Sequence, residues 1–414
     1  MAVINDSSLL AAHVGISVFD PSSNKYLYNY QGDKYFVPAS NTKIPTCYAA
    51  MKYLGDSLVG LKVAEYKTDL FLLGVGDPTL LHDDFKIQPV YNFLKSLDTI
   101  NKNLWGGTVR WEAKSFGSGW AWNDFESDYM AERSALPIYG NVISFSGKAA
   151  AIKITPASFL SNVQQLSNPN GFLSRVERTH YSNDFKVFSY GNTSRIVKAP
   201  FITSDTLNFR LLSDTLKMNN QIAGPNLAPP VRIEAEEPKT YSIHSQPTDS
   251  LLKPMMHRSD NFFAEQSLLM VSNEFLGVMN DAKIIDTILK TDFKDLPQKP
   301  RWADGSGLSR YNLFTPQDFV AILNKMKNEF GMERIKEIFP TGGEGTLSSY
   351  YKSDSTFIYA KTGTLSGVVA LSGFLYTKKN KLLIFSVLVN NHQASATNVR
   401  RAVEKFIQGI RKEY

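Results

Sequence analysis

Thr356–Lys361 (TFIYAK), Gly367–Tyr376 (GVVALSGFLY) and Lys381–Asn390 (KLLIFSVLVN) are three short runs rich in β-branched and aromatic residues near the end of the chain. Their length and composition suit strands rather than helices. Lys378-Lys379-Asn380, between the last two, is a hairpin-length loop, so those two are expected to pair antiparallel. From Ala394 to Lys412 the period changes. Val399, Val403, Phe406, Ile407 and Ile410 fall on one face of a predicted amphipathic helix. At the other end of the chain, His13–Phe19 (HVGISVF) and Tyr26–Tyr30 (YLYNY) flank the turn cluster Asp20–Lys25 (DPSSNK) and read as a hairpin. A helical pattern follows from Asn41 to Leu54, where Ile44, Cys47, Tyr48, Met51 and Leu54 recur at three and four residues, with Gly55 suited to end it. The simplest assembly joins the two N-terminal and three C-terminal strands in one antiparallel five-stranded sheet flanked by helices, an α+β fold.

The middle of the chain has a different texture. Between Asp77 and Glu237, strand-like pieces (Thr108–Trp111, Ala151–Ile154, Lys186–Phe188, Arg195–Lys198) alternate with loops rich in Asn, Ser, Gly and Pro, and no long amphipathic helix stands out. Helical spacing returns over Asp249–Met256 and Asp260–Phe275, and Thr315-Pro316 has the cap and first-turn residues of a helix expected to reach about Asn328. The expected organisation is therefore one domain in two parts, 1–76 and 238–414, interrupted by a β-rich region, 77–237, expected to hold two small domains.

Composition narrows the function classes. At 414 residues the chain is too long for one small module, and 43 % hydrophobic with 20 % charged residues is ordinary for a globular protein. No run approaches 18 consecutive apolar residues, so no transmembrane segment is expected. The single cysteine, Cys47, excludes an intrachain disulfide and a thiolate zinc cluster. A net charge of +6 without a run of five like charges argues against nucleic acid as partner. Met1–Leu10 (MAVINDSSLL) has no basic stretch followed by an apolar one; either the protein is cytosolic or a targeting segment has been removed.

Three short motifs can carry chemistry. Ser40-Asn41-Thr42-Lys43 sits at the start of the first predicted helix. Residues three apart share a helix face, so a lysine amine stands beside a serine hydroxyl and can activate it when neutral. Backbone N–H groups at the same end would favour an oxyanion. Ser-x-x-Lys occurs four times, at Ser22, Ser40, Ser250 and Ser349, and alone it reads as a solvated helix face. Ser259-Asp260-Asn261 occurs once and alone reads as a helix N-cap. Lys361-Thr362-Gly363-Thr364, also unique, alone reads as the end of a strand. It could equally bind a carboxylate through an ammonium and hydroxyls, with Gly363 allowing close approach to the backbone.

The order of the three, each in a suitable structural context, is the informative part. It is the set found in class A β-lactamases and penicillin-binding proteins. The chain resembles low-molecular-mass penicillin-binding proteins of the D-alanyl-D-alanine carboxypeptidase/endopeptidase type, the S13 peptidase family. Pro38–Lys43, Gly76–Leu80, Gly119–Asp124 with Ser134–Leu136, Asp304–Arg310 and Gly345–Leu347 carry that resemblance along nearly the whole length. It implies a β-lactamase/transpeptidase-like catalytic domain with insertions between the first two motifs. It further implies Ser40 as the acylated nucleophile and Lys43 as its base. Ser259 would relay a proton to the leaving amine, and Asn261 would hold Lys43 and the substrate amide. Lys361, Thr362, Gly363 and Thr364 would bind the terminal carboxylate of a D-Ala-D-Ala stem, with the N–H groups of Ser40 and Thr364 as oxyanion hole. Asp260, Asp304 and Arg310 are expected to be structural. The implied partners are peptidoglycan peptides and, as covalent inhibitors, β-lactams; the implied location is periplasmic or extracellular; no metal or organic cofactor is needed.

Rival readings have less support. A class A β-lactamase would place a Glu-x-x-Leu-Asn segment between the second and third motifs, and none occurs between Asn261 and Lys361. A non-catalytic cell-wall binding protein would not need every catalytic side chain. There is no Gly-x-Ser-x-Gly elbow and no His-Glu-x-x-His helix. His82-Asp83-Asp84 reads as a surface loop, His257 as a helix-end residue, and Trp105, Trp111, Trp120 and Trp122 as core of the β-rich region.

Overall fold

The computed structural model describes residues 4–97, 102–148, 150–167, 170–218, 222–224 and 237–414. In chain order the strands are β1 (His13–Asp20), β2 (Lys25–Tyr30), β3 (Ser57–Glu65), β4 (Asp69–Gly74), β5 (Asn103–Thr108), β6 (Val142–Lys148), β7 (Ala151–Thr155) and β8 (Val163–Ser167). They continue with β9 (Arg175–Arg178), β10 (Phe185–Ser189), β11 (Val197–Pro200), β12 (Lys239–Pro247), β13 (Ile358–Leu365), β14 (Val368–Tyr376) and β15 (Leu382–Asn390). The helices are α1 (Lys43–Tyr53), α2 (Pro89–Ser96), α3 (Asp205–Leu216), α4 (Thr248–His257), α5 (Asn261–Leu276), α6 (Asp281–Lys290), α7 (Pro316–Ile338) and α8 (Ala396–Glu413).

The terminal strands form the expected five-stranded antiparallel sheet, in the order β13-β14-β15-β1-β2. Alternation along each strand divides its side chains between two cores. Ala370, Phe374, Ile384 and Leu388 face a layer built from α1, α4, α5, α6 and α7. Val369, Leu371, Phe385, Val387 and Val389 face α8, which contributes Val399, Val403, Phe406 and Ile407. The sheet is therefore buried on both faces. β13 is an edge strand, so one side of its backbone lies outside the sheet pairing.

Among the described residues the middle region holds three smaller sheets, β8-β10-β9, β11-β6-β7 and β12-β3-β4-β5. The last draws β3 and β4 from before residue 77 and β12 from after residue 237. The core under it likewise takes Leu61, Val63, Leu70 and Leu72 together with Phe145, Phe185 and Phe209. This sheet thus draws strands from both sides of the divisions at 76/77 and 237/238.

Several local expectations need correction. The region without a foreseen long helix contains two helices among its described residues. α3 starts at an N-cap, where Ser204 Oγ accepts from Leu207 N, and α2 has Pro89 in its first turn. α7 runs on past Asn328 to Ile338, with a break at Gly331 (φ 75°, ψ 159°). The strand expected at Thr108–Trp111 lies earlier, at β5. Among the described residues no helix is long and apolar enough to cross a membrane.

Candidate active site

Ser40 lies in a 3₁₀ turn (Ala39–Thr42) that leads into α1. Ala39 is held at φ 47°, a left-handed conformation that costs a non-glycine residue roughly 1–2 kcal/mol. The turn places Lys43 as the first residue of α1, fully buried. Its Nζ donates to Ser40 Oγ at 3.2 Å, to Asn261 Oδ1 at 2.7 Å and to the Ser306 carbonyl at 2.7 Å. Burial pulls the Lys43 pKa down to about 8, against the opposing pull of Asp304, Glu265 and Asp260. A neutral amine next to a serine hydroxyl is therefore accessible near physiological pH.

The second motif lies between α4 and α5. Ser259 is also left-handed (φ 64°), which turns the chain sharply before the helix. Asp260 is the N-cap of α5, where its Oδ1 accepts from Phe263 N at 2.9 Å, and its Oδ2 pairs with Arg258 at 3.0 Å. This is the structural work expected of it. Asn261 begins α5 and is divided between two partners: its Oδ1 receives Lys43, and its Nδ2 donates to the Tyr129 carbonyl at 3.1 Å.

The third motif is on the edge strand β13. Lys361 is fully buried, and its Nζ donates to Ser259 Oγ at 2.9 Å and to the Thr362 carbonyl at 2.7 Å. Burial, then the charges of Lys43 and Arg400, hold its pKa well below the usual lysine range. Thr362 Oγ1 donates to Thr346 Oγ1 at 2.8 Å. A Cβ added at Gly363 would stand 2.6 Å from the Pro38 carbonyl and 3.0 Å from Ser40 N. The close approach that this glycine permits is made by the protein's own backbone. Ala360 N donates to the Pro340 carbonyl, on the side of β13 away from β14. With a period of two, the N–H of Thr364 points to that same free side, beside the turn that carries Ser40.

The three motifs thus converge on one cleft of about 520 Å³, bordered by Ser40, Tyr129, Asn261, Leu308, Arg310 and Thr364. Asp304 is structural, as expected. Its carboxylate accepts from Gly307 N, Ser309 N, Asn312 Nδ2 and Trp120 Nε1, fixing the loop whose Ser306 carbonyl holds Lys43. Arg310 lines the cleft and donates to the Ser366 carbonyl at 2.8 Å.

Four contributors escaped the sequence reading. Glu265, one helical turn after Asn261, accepts from Ser306 N at 2.7 Å and faces Arg133, which also pairs with Asp281 at 2.7 Å. Burial, then Asp304, raises the Glu265 pKa, with Arg133 opposing. Tyr129 supplies the carbonyl for Asn261. Arg400, from the first turns of α8, donates to Thr364 Oγ1 at 2.5 Å. Spacing could have flagged only Glu265, an acid one helical turn past a motif residue. His257 is the helix-end residue expected, the last of α4; its Nε2 is buried and finds no hydrogen-bond partner among the described residues, with Lys361 among the charges acting on the ring. His82-Asp83-Asp84 is a loop, as expected, with Asp83 and Asp84 exposed and the His82 side chain buried. The tryptophans divide: Trp111 packs against the small core of Val75, Ala135, Leu269 and Met279, Trp105 and Trp120 are half-buried and donate to Asp69 and Asp304, and Trp122 is 74 % exposed.

The sheet, its helical layers and this grouping define the fold of the penicillin-binding, active-site-serine hydrolases. The chain belongs to the D-Ala-D-Ala carboxypeptidase 3 (S13) family, whose model matches residues 1–410; it is a peptidase. It is 26 % identical over 441 residues to a D-alanyl-D-alanine carboxypeptidase of Actinomadura sp. (strain R39), covering 95 % of this chain and 81 % of the relative. Penicillin binding protein 4 of Haemophilus influenzae has the same fold, with a TM-score of 0.78 at 20 % identity over 100 % of both chains. That protein is also known in complex with a β-lactam (TM-score 0.73, 20 % identity, 100 % of both chains). A predatory peptidoglycan endopeptidase from Bdellovibrio bacteriovorus is more distant, with a TM-score of 0.52 at 14 % identity over 96 % of this chain and 92 % of the other.

Proposed function

We propose that the protein is a serine-type D-alanyl-D-alanine carboxypeptidase and endopeptidase that cleaves peptidoglycan stem peptides through an ester on Ser40. The observation that carries this is the pair of lysine contacts, Lys43 to Ser40 and Asn261, and Lys361 to Ser259. In this reading the substrate's terminal carboxylate docks on Lys361, Thr362 and Thr364, with Arg400 as a further cation behind Thr364. Neutral Lys43 takes the Ser40 proton as Oγ attacks the penultimate carbonyl. The oxyanion forms against the N–H groups of Ser40 and Thr364. Ser259, bonded to Lys361, delivers a proton to the departing amine, and water then releases the stem from the ester. A β-lactam presents the same carboxylate and a strained amide, so it would acylate Ser40. With peptidoglycan as its substrate, the protein would work in the periplasm or outside the cell. Residues 1–76 and 238–414 form the catalytic part in this reading, with 77–237 inserted between its first two motifs.

Labelling by fluorescent penicillin, followed by intact mass, tests the assignment. Wild type should gain one adduct on the peptide that holds Ser40, and Ser40→Ala should gain none; persistent labelling of Ser40→Ala would remove Ser40 from its role. High steady-state turnover of nitrocefin would favour a β-lactamase instead.

A further inference from the structure

The substrate cleft has a second lobe. Tyr129 and Asn261 border both the 520 Å³ cleft and a neighbouring cavity of about 390 Å³, and each lies within the ~300–1,000 Å³ range of ligand sites. The two lobes divide the catalytic residues. Ser40 and Thr364 border only the first, and Ser259 only the second. Arg258 and Asp260 flank Ser259 on one wall of the second lobe. The opposite wall comes from the β-rich region and includes His82, Asp84, Asp128 and Lys198. Both charge signs are present and tied together. Arg258 pairs with Asp84 and Asp260, Lys198 reaches Asp83 at 3.2 Å, and His82 Nδ1 lies 3.8 Å from Asp84.

This division has a chemical reading, which rests on the roles proposed above for Ser40 and Ser259. A substrate with its acyl carbon at Ser40 and its terminal carboxylate at Lys361 puts the departing amine beside Ser259, facing the second lobe. A released D-alanine would send only a methyl group that way. The amine released from a cross-link belongs to a residue built into a second stem, which carries carboxylates and an ammonium. A mixed-charge lobe next to Ser259 suits that partner and exceeds what a lone alanine uses.

We propose that the second lobe binds the acceptor stem of a cross-linked peptidoglycan dimer, and that the inserted region supplies the wall that selects it. In this reaction Ser40 Oγ bonds to the D-alanyl carbonyl carbon and the cross-link amide breaks. The hydroxyl proton passes to Lys43, and a proton delivered through Ser259 goes to the departing amine of the acceptor stem. Water then cleaves the ester, restoring the hydroxyl and freeing the donor carboxylate.

Lys198 tests the proposal, because it lies on β11 and belongs to no part of the acylation machinery. Initial rates of the full-length chain are measured on a purified cross-linked muropeptide dimer and on a monomeric pentapeptide stem ending in D-Ala-D-Ala. Fluorescent penicillin labelling reports an intact Ser40 site. Lys198→Glu should lower kcat/KM on the dimer about tenfold and leave the monomer and the labelling within about twofold, and Lys198→Arg should restore the dimer rate. Equal losses on both substrates, no loss on either, or a wild type that trims the monomer and leaves the dimer intact would overturn the proposal. A wild type that is not labelled and cleaves neither substrate would instead remove the Ser40 assignment on which it rests.

Discussion

The Lys43 ammonium meets the Asn261 side-chain oxygen at 2.7 Å, joining two helix starts separated by 218 residues of chain. The bond fixes the amine beside Ser40 and keeps it out of water. Burial holds its pKa at about 8, so the base-competent form is present above that pH and is lost as pH falls through it. Acylation rate should therefore climb with pH and level off above about 8, as read by stopped-flow β-lactam labelling. Lys43→Ala should reduce it by roughly 10²–10⁴-fold at pH 8, the range for loss of a general base. A profile flat from pH 6 to 9 would remove Lys43 as the base.

Glu265 tunes that profile from behind. Its charge favours protonated Lys43, so removing it lets burial act with less opposition. Glu265→Gln keeps an acceptor for Ser306 N, and Arg133 keeps Asp281. The ascending limb of the pH profile should move to lower pH with the plateau nearly unchanged. A purely structural role would lower the plateau and leave the midpoint in place.

Arg400 should read the substrate carboxylate through Thr364. A hydrogen bond to a charged group is worth about 1.5–3 kcal/mol, so Arg400→Ala should raise KM about tenfold or more for a peptide with a free C-terminal carboxylate. The same peptide capped as a carboxamide should respond little. Equal effects on both peptides would show that Arg400 only supports β13.

The sheet was legible because its strands are short, β-rich and bounded by turn residues, and the terminal helix because its apolar stripe is regular. α2 and α3 were not, because they are short and sit among loop-rich segments that masked their caps. The extent of the second sheet was hidden for a related reason: β3, β4 and β12 read as ordinary strands, and only pairing reveals that they belong to it. Within the site, the motif residues were readable from order and context. Arg400 was not, because an arginine in the first turns of an amphipathic helix looks like a solvated residue. Arg133 acts from a loop through an ion pair and Tyr129 from a 3₁₀ turn through its backbone carbonyl, and no spacing rule encodes either.

Gly363 joins the third motif to the first, and that junction can be probed by a single methyl group. An added Cβ would lie 2.6 Å from the Pro38 carbonyl and within 3.1 Å of both Ser40 N and Asn41 N. These are backbone atoms of a turn already held at Ala39 in a left-handed conformation, so they have little room to yield. Gly363→Ala should cost about 1–3 kcal/mol, the usual penalty for overpacking, seen as a lower thermal midpoint. Because the methyl group pushes β13 away from Ser40, acylation should slow by more than the loss of folded protein explains. A variant that keeps wild-type acylation per folded molecule would show that the spacing between β13 and the Ser40 turn does not set the rate.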